Sequence, residues 1–123
     1  MLNLKLTLIG NDRETLDSVQ EYFLRAGAGV RTTSRLEDVH PAVAGVDAVI
    51  LFADHYARDD ALRIVVELSV RTIIVVTADV AFFSASRTAR SVAGRVFVLR
   101  RPVWGWMLID AVRSGMGGNV GQS

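Results

Sequence analysis

The sequence contains no cysteine and only one lysine, Lys5, among its 123 residues. The missing thiols exclude disulfides, thiolate catalysis, and cysteine-ligated zinc or iron–sulfur sites. All other basic residues except two histidines are arginines, so a mechanism that needs a lysine has one candidate, near the start of the first apolar run. The apolar runs are far shorter than the roughly 20 residues of a membrane helix, and no signal-peptide pattern is present. We therefore expect a cytoplasmic protein without membrane attachment.

The chain also lacks an excess of charge of either sign, because 14 basic and 13 acidic residues leave a net charge of +1. Nucleic-acid-binding domains usually carry a strong basic excess, so we do not expect a nucleic-acid partner. With balanced charge and 50% hydrophobic residues, disorder is not expected either. The length suits one domain, which we assign to residues 1–115. The glycine-rich residues 116–123 are expected to form a flexible tail or the stub of a linker.

Five apolar runs, which predict strands, alternate with five segments of helical periodicity. The strands are predicted at residues 4–9, 30–33, 48–52, 72–76 and 96–99, and the helices at 13–26, 35–44, 59–69, 80–92 and 103–114. Ser34 is expected to cap the second helix, with Glu37 at the capping-box position. Such alternation indicates a parallel sheet with helices on both faces. We predict a flavodoxin-like (βα)5 three-layer sandwich, an α/β fold with a five-stranded parallel sheet in the order 2-1-3-4-5. Its crevice lies at the carboxyl ends of strands 1 and 3.

Short polar segments lie at the ends of four predicted strands: G-N-D after strand 1, F-A-D at strand 3, T-A-D at strand 4 and R-R-P after strand 5. Parallel strands bring these segments to one edge of the sheet. Together with D-A-V-I-L-F, V-V-T-A and V-L-R-R-P, this layout resembles the receiver domain of bacterial response regulators over residues 3 to 114. The resemblance implies a module of two-component signal transduction.

The resemblance also implies a phosphorylation site, and this sequence departs from it. In the family, two adjacent acids after strand 1 hold Mg²⁺, and an aspartate at the end of strand 3 accepts the phosphoryl group. The matching positions here are Gly10 and Asn11, with Asp12 one place too late, and Phe52. Mg²⁺ requires hard oxygen ligands in near-octahedral geometry, and a phenyl ring has no nucleophilic oxygen. We therefore expect a degenerate site without a metal or cofactor, in which Phe52 is a buried plug.

Other polar residues surround this degenerate site. The strand-4 hydroxyl of the family is retained as Thr77, and the lysine before the proline, which contacts the phosphoryl group, corresponds to Arg101. Asp54 and His55, just beyond strand 3, could form a displaced acceptor and a general base. We favour a solvated loop, since a shift of two residues carries Asp54 away from the point where strand 3 delivers its last side chain. Asp12 and Arg101 could also form an ion pair across the pocket mouth, which the sequence leaves open.

The last predicted helix carries two tryptophans at its start, in the segment V-W-G-W-M-L-I-D-A-V-R. Its core-facing set should be Leu108, Ile109 and Val112, so Trp104 and Trp106 precede the inward stripe and at least one indole is expected to be exposed. Tryptophan and arginine are enriched at binding hot spots. This favours a partner surface over the alternative that one tryptophan caps the edge of the core. We place the surface on the face of the fourth helix, fifth strand and fifth helix, with Arg87, Arg90, Arg100, Trp104, Trp106 and Met107.

These observations favour a non-phosphorylatable pseudo-receiver, a signalling module that is not an enzyme. It would act through contacts with a protein partner or an effector domain, or with a second copy as a homodimer. Two alternatives stay open. One is a receiver phosphorylated at the displaced acid Asp54. The other is a small-molecule-binding α/β domain that uses the same crevice, although G-N-D-R-E lacks the further glycines of phosphate-binding loops.

Overall fold

The computed structural model describes residues 3–84 and 95–117. Five parallel strands form one sheet in the order β2-β1-β3-β4-β5, which confirms the predicted topology. Each strand lies within one residue of its predicted bounds at either end. The strands are β1 (Lys5–Ile9), β2 (Gly29–Thr33), β3 (Ala48–Phe52), β4 (Thr72–Thr77) and β5 (Arg95–Arg100).

The described residues contain five helices, which lie between the strands and after the last one. They are α1 (Arg13–Arg25), α2 (Val39–Ala42), α3 (Arg58–Glu67), α4 (Val80–Ser84) and α5 (Gly105–Gly117). The predicted fourth helix extended to residue 92, and its part beyond residue 84 lies outside the described residues. The last helix begins later than predicted and continues past the proposed domain boundary at residue 115. Of the predicted tail, residues 118–123 lie outside the described part of the chain.

The sheet is covered on both faces, so the fold has three layers. β3 is buried at all five positions, as expected for a central parallel strand. Its alternate residues face opposite layers: Val49 and Leu51 pack with α2, α3 and α4, whereas Ile50 and Phe52 pack with α1 and α5. This arrangement places the last side chain of β3 beneath the start of α1, next to the loop that follows β1. Among the described residues, no helix is long and apolar enough to cross a membrane.

The start of the second helical segment differs from the prediction. Residues Leu36–Asp38 form a short 3-10 helix, no side chain caps it, and α2 follows for only four residues. Glu37 does not take part in a capping box, because its carboxylate accepts a hydrogen bond from Arg35 Nη2 at 2.8 Å. The carbonyl of Ser34 instead accepts the Tyr56 hydroxyl at 2.7 Å. The predicted cap at Ser34 is therefore wrong, since this segment is tied to the loop after β3.

A close contact joins α5 to the beginning of β4. A Cβ atom added at Gly115 would lie 2.4 Å from both Oγ1 and Cγ2 of Thr72. Thr72 is fully buried, and its hydroxyl has no hydrogen-bond partner. The absence of a side chain at Gly115 therefore sets how closely α5 approaches the sheet.

Candidate functional site

Aromatic packing fills the end of β3 at the carboxyl edge of the sheet. Phe52 is only 5% exposed, so it is buried as the sequence predicted. Its ring stacks on the imidazole of His55, with ring centroids 5.6 Å apart and an interplanar angle of 16°. His55 Nδ1 accepts a hydrogen bond from the Asn11 amide at 2.8 Å. The loops after β1 and β3 are thus joined where the resemblance implies a metal-binding acid pair.

Gly10 occupies the tightest part of this junction. A Cβ atom there would lie 3.0 Å from His55 Nδ1 and 3.1 Å from both the Phe52 ring and the Leu16 side chain. An acidic side chain at position 10 would have to displace at least one of these neighbours. The absence of an acid at position 10 is therefore linked to the absence of an aspartate at position 52, because Phe52 and His55 occupy the space that an acidic side chain at Gly10 would need.

Asp12, the remaining acid of this loop, belongs to α1. It is the N-cap, and its Oδ2 accepts hydrogen bonds from the Thr15 amide at 3.3 Å and from the Thr15 hydroxyl. The hydrogen bond from the Thr15 side chain holds the pKa of Asp12 below its ordinary value. The ion pair with Arg101 that the sequence left open is not formed, since capping takes up the carboxylate and Arg101 binds another acid.

The residues at this edge do not fit a divalent metal. Gly10 and Asn11 supply no carboxylate, Asp12 is turned to Thr15, and the Phe52 ring supplies no ligand atom. No group of three or more histidines and acids with metal-ligand geometry exists in residues 3–84 and 95–117. Mg²⁺ binding requires several hard oxygen ligands, so no metal-dependent step can be assigned to this edge.

Asp54 is exposed, as expected for a residue of a solvated loop, but its carboxylate is held by contacts that the sequence did not predict. It lies in a 3-10 turn, Ala53–His55, that directs its side chain back to the sheet. Oδ1 accepts a hydrogen bond from Thr77 Oγ1 at 2.6 Å, and Oδ2 accepts one from the Ala78 amide at 2.8 Å. Arg101 Nη1 lies 3.2 Å from Oδ2, and the Asp54 side chain is only 27% exposed. The sequence did not predict these contacts, because they depend on the tight turn after β3.

The electrostatic environment of Asp54 favours its charged form. Burial alone raises its pKa, but the hydrogen bonds from Thr77 and Ala78 and the positive charge of Arg101 outweigh burial, so the pKa lies below the ordinary value. One signal for this arrangement was present in the sequence. Thr77 and Arg101 match two positions that contact an anion in receiver domains, although Phe52 stands at the acceptor position, so a carboxylate near them was a plausible partner.

A second set of contacts orders the loop after β4. The Thr77 hydroxyl accepts a hydrogen bond from the Asp79 amide at 2.9 Å. Asp79 in turn binds Arg58 Nη1 at 2.8 Å, and the Arg58 guanidinium lies 4.4 Å from the centroid of the Phe82 ring. These contacts join the β4–α4 loop to the start of α3, so the polar network extends over three of the strand-end loops.

The two tryptophans lie on the surface, as predicted, with Trp104 64% exposed and Trp106 58% exposed. Gly105 between them packs against the ring of Tyr22 in α1, which would lie 2.7 Å from a Cβ atom at this glycine. Tyr22 is itself 42% exposed. We call Tyr22, Trp104 and Trp106 the aromatic patch. The prediction missed Tyr22, because its contact with α5 links distant parts of the sequence.

The other residues of the predicted partner surface differ in burial and in their hydrogen-bond partners. Met107 is half-buried, and its sulfur accepts a hydrogen bond from the Trp104 amide at 3.5 Å. Arg100 donates a hydrogen bond from Nη1 to the Ala78 carbonyl at 3.2 Å, so it belongs to the network at the end of β4. Arg87 and Arg90 lie outside the described residues. Through the contact of Tyr22 with Gly105, the aromatic patch lies between α5 and α1. The predicted surface used the fourth helix instead, most of which lies outside the described residues.

An open cleft of about 470 Å³ lies between the start of α1 and the end of β2. Its lining includes two arginines and two aspartates, Arg13, Asp17, Arg35 and Asp38. Arg13 pairs with Asp17 in this wall, and Arg35 pairs with Glu37 nearby. Small-molecule sites are usually enclosed and mostly apolar with a few convergent polar groups. This cleft therefore gives little support to the small-molecule alternative.

No family model matches the sequence, and no curated protein sequence matches it. Solved structures do resemble the fold, and several of the matching chains are described as receiver domains or response regulators. A signal receiver domain of two-component signal transduction (histidine kinase) from Clostridium thermocellum is 14% identical with a TM-score of 0.72, covering 94% of this chain and 98% of that one. A response regulator receiver protein from Burkholderia phymatum is 16% identical with a TM-score of 0.70, covering 98% and 100%. At these identities the likeness establishes the flavodoxin-like α/β fold that receiver domains also have, and the function is inferred from the site.

Proposed function

We propose that this chain is a pseudo-receiver, a bacterial signalling module that acts through protein–protein contacts and accepts no phosphoryl group. The observation that carries the proposal is Phe52, buried at the end of β3 against His55 and Gly10. Phosphotransfer to this position requires a nucleophilic oxygen and a metal, and neither can be provided by a phenyl ring packed on a glycine. The receiver domains that share its fold support a place in two-component signalling. The module is accordingly not an enzyme.

Phosphorylation at Asp54 is the rival function, and its geometry is unfavourable. Both oxygens of Asp54 already accept hydrogen bonds, from Thr77 and Ala78, and Arg101 binds the same carboxylate. The nearest acid of the β1 loop, Asp12, caps α1. An acyl phosphate on Asp54 would have to break these contacts without a metal to neutralise the incoming charge.

Exposure to acetyl phosphate and Mg²⁺ should therefore leave the intact mass of the protein unchanged. Beryllofluoride with Mg²⁺ should not change its melting temperature either. A ligand at about 100 times its dissociation constant adds about 2.7 kcal/mol of stability, so real binding is easy to detect. The proposal would be refuted if the wild type gained the mass of one phosphoryl group, and if this adduct were absent from Asp54→Asn but present in Asp60→Asn. A rise of several degrees that requires Mg²⁺ and beryllofluoride together would refute it equally.

The aromatic patch is the surface on which we place the protein contacts. Two exposed indoles flank Gly105 in the sequence, and a half-exposed phenol packs on that glycine. Such side chains provide much of the binding energy at interfaces. The partner is a separate protein, an effector domain attached to this module, or a second copy in a homodimer. Without phosphotransfer, the output is controlled by the concentration or state of that partner.

The substitution Trp106→Ala tests this surface. Because the indole is 58% exposed, its removal should shift the melting temperature by no more than a few degrees. Self-association or partner binding should weaken tenfold or more, which corresponds to about 1.4 kcal/mol. Sedimentation velocity measures the self-association, and isothermal titration measures binding to the partner.

Leu24→Ala is the matched control for this experiment, because Leu24 is a large apolar residue of α1 that is 51% exposed but lies outside the aromatic patch. It should leave both stability and association unchanged. If Trp106→Ala unfolded the protein, Trp106 would have a structural role in the core. If the two substitutions weakened association equally, the aromatic patch would not be the binding surface.

A further inference from the structure

Two hydrogen-bond donors and one cation, from two strand ends, converge on the Asp54 carboxylate. The donors are the Thr77 hydroxyl at 2.6 Å and the Ala78 amide at 2.8 Å, and the cation is the Arg101 guanidinium, which forms an ion pair with Asp54 at 3.2 Å. The hydroxyl is neutral and buried, the amide belongs to the backbone, and the guanidinium carries a full positive charge. Such a combination of backbone amide, hydroxyl and guanidinium is typical of sites that bind small oxyanions.

The donors are held in place by contacts that do not involve Asp54. Thr77 Oγ1 accepts a hydrogen bond from the Asp79 amide, so the single hydroxyl proton is left for the carboxylate. The carbonyl of Ala78 accepts a hydrogen bond from Arg100. The backbone amide of Arg101 donates to the carbonyl of Thr77 at 3.2 Å. The Thr77 hydroxyl and the Ala78 amide should therefore keep their arrangement when the carboxylate is removed, and the backbone of Arg101 stays beside them.

We propose that Thr77, Ala78 and Arg101 form an anion-binding cradle whose resident ligand is the protein's own Asp54 side chain. The ligand class is a small oxyanion, either a carboxylate or a phosphate. The cradle lies at the end of β4 and β5, where the resemblance places the contacts to a phosphoryl group, but the anion comes from within the chain. The strand-end loops are accordingly held in one liganded arrangement without any chemical input.

This inference deepens the proposed function, since it names what stands in for the phosphoryl group. Its test can nevertheless fail separately. Phosphotransfer is assayed by intact mass and partner binding by association, whereas the cradle is assayed by anion binding to the unphosphorylated protein.

The substitution Asp54→Ala removes the resident ligand and leaves a space that small anions can reach. Thr77 is fully buried, so its hydroxyl then lacks an acceptor, and an unpaired buried donor is costly. In sodium chloride the variant should melt several degrees below the wild type. Sodium acetate or sodium phosphate at the same ionic strength should restore at least half of this loss, because a ligand that binds only the folded state stabilises it. The wild type should not respond to the exchange of anions.

Two variants establish that the response belongs to the cradle. Asp54→Ala combined with Arg101→Ala should lose the restoration, because the positive charge is gone. Asp17→Ala removes another carboxylate that faces an arginine, at 3.8 Å from Arg13, and should show no anion response. The proposal would be overturned if Asp54→Ala had the same melting temperature as the wild type in sodium chloride. An equal effect of acetate or phosphate on all variants would also overturn it, since that is a general salt effect.

A milder variant decides the question if Asp54→Ala does not fold. In Asp54→Asn the amide keeps one acceptor oxygen and loses the negative charge, so the Ala78 amide should lose its short, charge-assisted hydrogen bond. Its proton resonance in a two-dimensional NMR spectrum should shift upfield relative to the wild type. Asp17→Asn should leave that resonance unchanged. An unchanged Ala78 resonance in Asp54→Asn would show that the carboxylate is not the bound anion.

Discussion

Replacing Phe52 by aspartate should lower the free energy of unfolding by about 2–5 kcal/mol. The substitution removes a ring that is 5% exposed and stacked on His55, which leaves a cavity between β3 and α1. It also places a carboxylate in that cavity, beside Gly10 and without a metal. A further negative charge, that of Asp54, lies two residues along the chain. Urea denaturation followed by far-UV circular dichroism measures the loss.

Phe52→Leu is the control that separates the lost ring from the added charge. Leucine keeps an apolar side chain at the end of β3, so this variant should lose clearly less stability than Phe52→Asp. Neither variant should accept a phosphoryl group, because Gly10 and Asn11 still supply no carboxylate. An aspartate variant that is as stable as the wild type and becomes phosphorylated would mean that the site is dormant and that our account of the plug is wrong.

Gly115→Ala should destabilise the protein, because its clash with the sheet should cost about 1–3 kcal/mol, the usual cost of overpacking. The new methyl group would lie 2.4 Å from both branches of the Thr72 side chain, far inside van der Waals contact. Alanine is more favourable than glycine in a helix by about 1 kcal/mol. The measured loss of stability is therefore the cost of the clash minus this gain in helix propensity. Chemical denaturation of the two proteins measures the difference.

A double-mutant cycle with Thr72→Ala identifies the clash as the cause. The Thr72 hydroxyl has no hydrogen-bond partner, so its removal alone should cost little beyond the lost methyl contact. Thr72→Ala should relieve part of the strain of Gly115→Ala, and the two effects should be non-additive. Gly29→Ala is the control, because its added Cβ would meet its nearest neighbour, Lys5 Cγ, at an ordinary 3.6 Å. Strictly additive effects at positions 72 and 115 would exclude the clash.

The strand order could be predicted from the sequence because it depends on local patterns. The run at 48–52 is apolar at every position, and the structure buries every one of its side chains in β3. Alternation of such runs with helical segments leaves few topologies. The match of Phe52 to the acceptor position of receiver domains depended on the same run, since Phe52 is its last residue.

The environment of Asp54 could not be predicted in the same way, because it depends on backbone geometry after the strand. A 3-10 turn of three residues, Ala53–His55, decides whether the side chain meets solvent or Thr77. The packing of Tyr22 against Gly105 is equally invisible to periodicity, since it joins residues from opposite ends of the chain. The predicted cap of the second helix was wrong for a related reason. The segment at Ser34 is held by a hydrogen bond from Tyr56, which is distant in sequence.

The exposure of Trp104 and Trp106 determines which process the intrinsic tryptophan fluorescence of this protein can follow. These are the two tryptophans of the sequence, and both indoles face water in the folded state. Their emission maximum should therefore lie near that of an unfolded chain, and unfolding should change it little. Covering of the patch by a partner would transfer the indoles to an apolar environment and shift the emission to shorter wavelength. Intrinsic fluorescence is thus a signal of association in this protein, and folding has to be followed through the backbone.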